Sequence, residues 1–133
     1  AKQMSTDLMS KKIKAIAGDN PVIVAGDFNI RKNLKEGQNP MIKALYYNLI
    51  GTFKDNNSLL DTKTISKIPP KTAGSTGTRN FRRDSSYIGK PGDAIDYIFV
   101  NEHFDVKSYS VDRFMKGNIF ISDHWPVISV LSF

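Results

Sequence analysis

Apolar residues recur along this chain in two rhythms, one helical and one extended. From Lys2 to Ala17, the residues Met4, Leu8, Met9, Ile13, Ala15 and Ile16 fall at helical spacing, with lysines filling the remaining side. This predicts a surface helix packed on a core, ended by Gly18 and Pro21. The run Val22-Ile23-Val24 that follows is apolar on both faces and predicts an interior strand. A second helix is expected over 39–51, where Asn39 caps, Pro40 takes the first helical position, and Ile42, Leu45, Tyr46 and Leu49 share one face before Gly51.

Residues 61–94 change character. They are rich in Thr, Ser, Gly, Pro and Arg, and predict a long functional loop region holding one short strand. Three strand-like segments follow at 94–100, 106–114 and 125–133, and turn signals between them suggest an antiparallel meander. The fold class is therefore α/β, with a mixed, mostly antiparallel sheet and helices on one face.

Composition narrows the possibilities. The 133 residues are 40% hydrophobic and 11% aromatic, as expected of one globular unit. Cysteine is absent, which removes zinc–thiolate sites and thiol catalysis. The net charge of +6 favours anionic partners, at even odds with a simple role in solubility. No apolar stretch approaches the roughly 20 residues of a membrane-spanning helix. Because the chain opens without an initiator Met, a removed upstream segment is an expectation.

Candidate chemistry gathers where strands meet loops. In "VAGDFN" an acid follows the strand, whereas in "AIDYIFV" and "SDHWPV" it stands at the strand's beginning. If the first strand runs antiparallel to the other two, then Asp27, Asn29, Asp96, Asp123 and His124 meet at one sheet edge. Neither face around Asp96 looks solvated, so its carboxylate needs a partner, and His124 is the natural one. A carboxylate that accepts a ring N–H fixes the imidazole tautomer and leaves the second nitrogen for a substrate. Asp123 offers a hard oxygen suited to Mg²⁺ or Mn²⁺. Asp27 and Asn29, two apart on extended chain, leave the same face: the carboxylate can orient a water and the amide can donate to a phosphate oxygen.

Together, "VIVAGDFN", "AIDYIFV" and "SDHWPV" resemble the last three motifs of the endonuclease/exonuclease/phosphatase superfamily, which spans deoxyribonucleases, apurinic endonucleases, inositol polyphosphate 5-phosphatases and sphingomyelinases. The resemblance implies that residues 1–133 form the C-terminal half of a four-layer α/β sandwich that hydrolyses phosphoesters with a divalent metal. It implies Asp27 as the residue that positions or activates water, Asn29 at the phosphate and metal, and Asp96 as the group that orients His124. Asp27, Asn29 and Asp123 would serve the metal. Thr78 stands where members have a Thr-aromatic stretch facing substrate, and Arg79 and Asn80 follow it as further candidate contacts.

The family's earlier half, with its metal-binding Glu, has no counterpart here. That half is the expected partner of an apolar inner sheet face, and activity without it should fall by several orders of magnitude. The loop "TRNFRR" tilts the expected phosphorylated substrate slightly towards nucleic acid. Two alternatives remain: a noncatalytic binding module that keeps the fold, and a sphingomyelinase-like secreted enzyme. The latter calls for an exposed aromatic hairpin, which Trp125, before a core strand, cannot supply.

Overall fold

Helix α1 (Lys2–Ala17) ends where the sequence stops supporting it. Gly18 adopts a φ of 55°, its N–H bonds to the Lys14 carbonyl at 3.1 Å, and Asn20 N–H bonds back to Ala17 O at 2.9 Å. A computed structural model describes residues 2–30, 59–70, 76–78, 94–117 and 119–133. The helix expected over 39–51 and the candidates Arg79 and Asn80 lie outside these described residues.

Two antiparallel sheets carry the rest. The first has the order β1 (Ile23–Asp27), β3 (Asp96–Val100), β2 (Leu60–Asp61). The second pairs β4 (Asp105–Val111) with β5 (Val127–Ser132). A short helix α2 (Thr62–Ile65), capped by the Asp61 carboxylate on Lys63 N–H at 3.0 Å, follows β2 directly. Ser129 Oγ of β5 donates to Thr62 Oγ1 at 2.8 Å and so ties the second sheet to that corner of the first.

The expected meander forms only in part. β4 and β5 pair, but β3 pairs with β1 and β2 instead of β4. The cause lies at the end of β3, where buried Asn101 donates from Nδ2 to Asn20 O at 2.9 Å and accepts Val22 N–H at 3.0 Å. These bonds commit the end of β3 to the chain entering β1, and the turn through Asn101 and Phe104 starts β4 in another sheet.

Each face of the first sheet has its own fate. In register, Val24 lies opposite Phe99 and Gly26 opposite Tyr97; this face closes over a core of Ile30, Leu59, Ala94, Tyr97 and Phe99, against which Met9 and Ile13 of α1 and Phe28 pack. The other face aligns Ile23 with Val100, Ala25 with Ile98, and Asp27 with Asp96. Its β1 side is open, with Ile23 53% exposed, whereas Val100 on β3 is fully buried. The helical stripe is likewise narrower than its periodicity suggests: Met9 and Ile13 pack inward, while Met4, Leu8 and Ile16 are exposed. Lysines interrupt every side of α1, so the sequence does not single out one apolar face.

A second core sits under β4 and β5, formed by Tyr109, Val111 and Trp125 with Met115, Phe120 and Val127 against them. Phe120 meets the Trp125 ring edge-on at 5.4 Å, and the Arg113 guanidinium lies 5.4 Å from its centroid. Trp125 is thus buried, as its place before a core strand implies.

Candidate active site

Asp27 closes β1, and the chain turns sharply beyond it. Its Oδ1 accepts the Asn29 N–H and its Oδ2 accepts Asn29 Nδ2, both at 2.8 Å, an Asx turn closed twice over. Asn29 takes a φ of 50°, a left-handed conformation that Asn tolerates better than most residues with a Cβ. Phe28 between them anchors the turn: its N–H bonds to Ile95 O at 2.9 Å, and its ring packs edge-on against Tyr97 and Phe99. The Tyr97 hydroxyl, sharing one proton between Ala94 O at 2.7 Å and Ile30 O at 3.0 Å, draws the start of β3 and the exit from this turn together.

Asp96 opens β3 directly opposite Asp27. Its carboxylate meets His124 Nδ1 at 3.0 Å through Oδ1 and 2.8 Å through Oδ2. Nδ1–H donates in this pairing, which fixes the ring's orientation and directs the other nitrogen elsewhere. Nε2 points at Asp27, 4.0 Å from Oδ2, too far for a hydrogen bond. The hydrogen bond to Asp96 is the largest cause raising the His124 pKa above the ordinary imidazole value; partial burial opposes it, and the charges of Asp96, Asp27 and Asp123 add to it.

The loop bearing His124 is held from behind. His124 N–H bonds to Ser122 Oγ at 3.1 Å. Residues 76–78 run alongside through an isolated antiparallel bridge: Trp125 N–H bonds to Thr76 O at 2.6 Å, Gly77 pairs with His124, and Thr78 N–H bonds to Asp123 O at 2.7 Å. Thr78 Oγ1 donates to Ser122 O at 3.2 Å, and the residue is only 2% exposed, so its hydroxyl serves the loop.

Asp27, Asn29, Asp96 and His124 therefore come together from three separate stretches of chain, and Asp123 adjoins them on an exposed turn. Ligand atoms of Asp27, Asp96 and His124 all lie within 4.8 Å of one another, a spacing that could hold a metal ion. The donor chemistry suits a hard divalent cation, because carboxylate oxygens dominate and the His124 ring is engaged by Asp96 through Nδ1. Sequence reasoning missed Thr76 and Ser122, whose hydroxyls bond to backbone amides of this region. A Ser/Thr/Gly stretch reads as plain loop, and only the fold reveals which amide each hydroxyl meets.

Solved structures share this arrangement of elements. An endonuclease/exonuclease/phosphatase from Bacteroides vulgatus is 25% identical with a TM-score of 0.71, over 98% of this chain and 43% of its own. A mannosyl-6-phosphatase from Bacteroides thetaiotaomicron is 26% identical with a TM-score of 0.66, over 99% of this chain and 46% of its own. A protein from Enterococcus faecalis, 16% identical over 99% of this chain and 44% of its own, shares the fold at a TM-score of 0.69. The chain thus spans less than half the length of the structures it matches. No curated protein matches it in sequence. The profile of the Endonuclease/Exonuclease/phosphatase family matches residues 6–124, and with the Asp27, Asp96 and His124 cluster in place, this chain belongs to that family.

Proposed function

We propose that this chain supplies half of the active site of a divalent-metal-dependent phosphoester hydrolase. The observation that carries the proposal is the His124 ring, held by Asp96 at 2.8 Å through Nδ1 with Nε2 directed at Asp27. In this reading, Asp27 orients a water and takes up its proton as the water oxygen bonds to phosphorus and the ester oxygen leaves to be protonated by solvent. His124, in the protonated form that Asp96 favours, donates from Nε2 to a phosphoryl oxygen as negative charge builds there. Asn29, tied to Asp27 through Nδ2, would contact the phosphate beside that carboxylate. Mg²⁺ or Mn²⁺, held through Asp27 with help from Asn29 and Asp123, would supply the charge that neutralises phosphoryl oxygens.

The second part of the reading concerns completeness. The face that carries Asp27 and Asp96 continues as Ile23, Ala25, Ile98 and Val100, and Ile23 is half open. Together with a match to less than half of each relative, this supports a complementary half that covers the face and adds metal ligands. Likeness to a mannosyl-6-phosphatase favours a sugar phosphomonoester as substrate over nucleic acid.

A lipid phosphodiester is the second reading. It is favoured by Phe114, Ile119 and Ile121, all exposed on the hairpin closed by mutual bonds of Lys116 and Ile119, which leads into the His124 loop. One assay decides among these. The protein with its complementary half is given mannose 6-phosphate, linear DNA or sphingomyelin vesicles, with Mg²⁺ or with EDTA. Hydrolysis of one class that needs Mg²⁺ and falls at least about 100-fold in His124→Ala is expected. An unchanged rate in that variant would sink the catalytic role of His124, and no hydrolysis of any class would leave the noncatalytic module.

A further inference from the structure

We infer that Thr76 is a positioning residue, whose hydroxyl sets the orientation of the Asp96–His124 pair from outside the site. The inference rests on the proposed role of that pair and adds a residue to it. Thr76 is fully buried, at 0% exposure. Its Oγ1 accepts two backbone amides at the mouth of β3, Ile95 N–H at 3.2 Å and Asp96 N–H at 3.3 Å. Its carbonyl accepts Trp125 N–H at 2.6 Å, one residue beyond His124. One residue therefore grips the backbone of both partners, although Asp96 belongs to the first sheet and His124 leads into the second.

This matters because nothing in either sheet's own ladder fixes the distance between the two groups. β3 pairs with β1 and β2, and β5 pairs with β4. The carboxylate–imidazole bond is short-ranged, so a displacement of about 1 Å would break it, and such misplacements cost on the order of 100-fold in rate. Thr78, two residues on, grips the same loop through Ser122 O and Asp123 O, but the bonds it is seen to make do not reach β3. The hydroxyl of Thr76 adds that second grip.

The test compares Thr76→Val, which keeps the shape and removes the acceptor, with Thr76→Ser, which keeps it; Thr76→Ala stands in should the Val variant fail to fold. Thr62→Val is the control, being equally buried but hydrogen-bonded to Ser129 rather than to the backbone beside Asp96. In the complemented enzyme with Mg²⁺ and mannose 6-phosphate or p-nitrophenyl phosphate, Thr76→Val should lower kcat about 10- to 100-fold with little change in KM, and Thr76→Ser should restore it. By NMR, the downfield Nδ1–H resonance of His124 should weaken in Thr76→Val and persist in Thr76→Ser and Thr62→Val. If Thr76→Val and Thr62→Val lose thermal stability alike and both keep kcat and that resonance, Thr76 is only structural and the inference fails. The resonance needs no turnover, so a wild-type protein that hydrolyses nothing would overturn the proposed function while still deciding the role of Thr76.

Discussion

His124 draws its properties from one neighbour more than from its burial. The Asp96 hydrogen bond raises its pKa, while desolvation works the other way. The linkage follows in sign: a raised folded pKa gives stability that is fully present below the ordinary imidazole value, about 6.5, and is lost as pH rises through the raised value. Asp96→Asn removes the charge and can turn an amide N–H towards Nδ1, so the tautomer is no longer fixed. In metal-free protein, we expect chemical denaturation to show wild type losing this increment as pH rises through the raised value, whereas Asp96→Asn shows a smaller step, sustained only by Asp27 and Asp123. In the complemented enzyme the same substitution should cut kcat by about 10²- to 10⁴-fold, measured at saturating substrate.

Elements are positioned here by side chains that cap and tether as much as by ladders. Asn101 is the clearest case, with its amide bonded to Asn20 O and Val22 N–H. Asn101→Ala should cost roughly 1–3 kcal/mol in urea unfolding by leaving those groups unmet, with hydrogen exchange quickening first at the β1–β3 end near Val22. The sequence made the strands legible wherever an apolar run met a turn signal: β1 and β5 stand out, and β3 follows from "AIDYIFV". The Asp27–Asn29 pair and the His124 loop were legible as chemistry, because Gly-Asp-Phe-Asn and Ser-Asp-His are short, local and chemically distinct, but Asn29 sits in a left-handed turn where extended chain was expected. Strand partnership was not, because β3 joins β1 through Asn101, a bond across 79 residues that leaves no periodic trace. Nor was the helix face, since α1 carries apolar residues on both of its sides. Thr76 stayed hidden for a similar reason, because its partners lie 19 and 20 residues away and are backbone amides that every residue possesses.

For the whole molecule, exposed apolar surface and short coverage point the same way. Ile23 on the open face of the first sheet is 53% exposed, and Ile128 and Val130 on β5 are 45% and 51% exposed. Among the described residues, β5 has a strand on one side only, so its free edge can accept another. None of the described helices is long and apolar enough to cross a membrane. Ile23→Thr with Val130→Thr should make the isolated chain less prone to aggregate and weaken its binding to a complementary half. Light scattering and titration calorimetry would check this; improved solubility with undiminished binding would show that the half docks elsewhere.

The register of the first sheet adds a consequence of its own. Asp27 and Asp96 are direct cross-strand partners, and two negative groups in that relation repel. The His124 ring, whose two nitrogens face the two carboxylates, eases that repulsion when it is protonated, the form their charges favour. Any cation that settles between them does the same work, and the sheet's end is then bound as tightly as its counter-ion. Melting temperature thereby becomes a gauge of occupancy: a divalent cation that binds there should raise it.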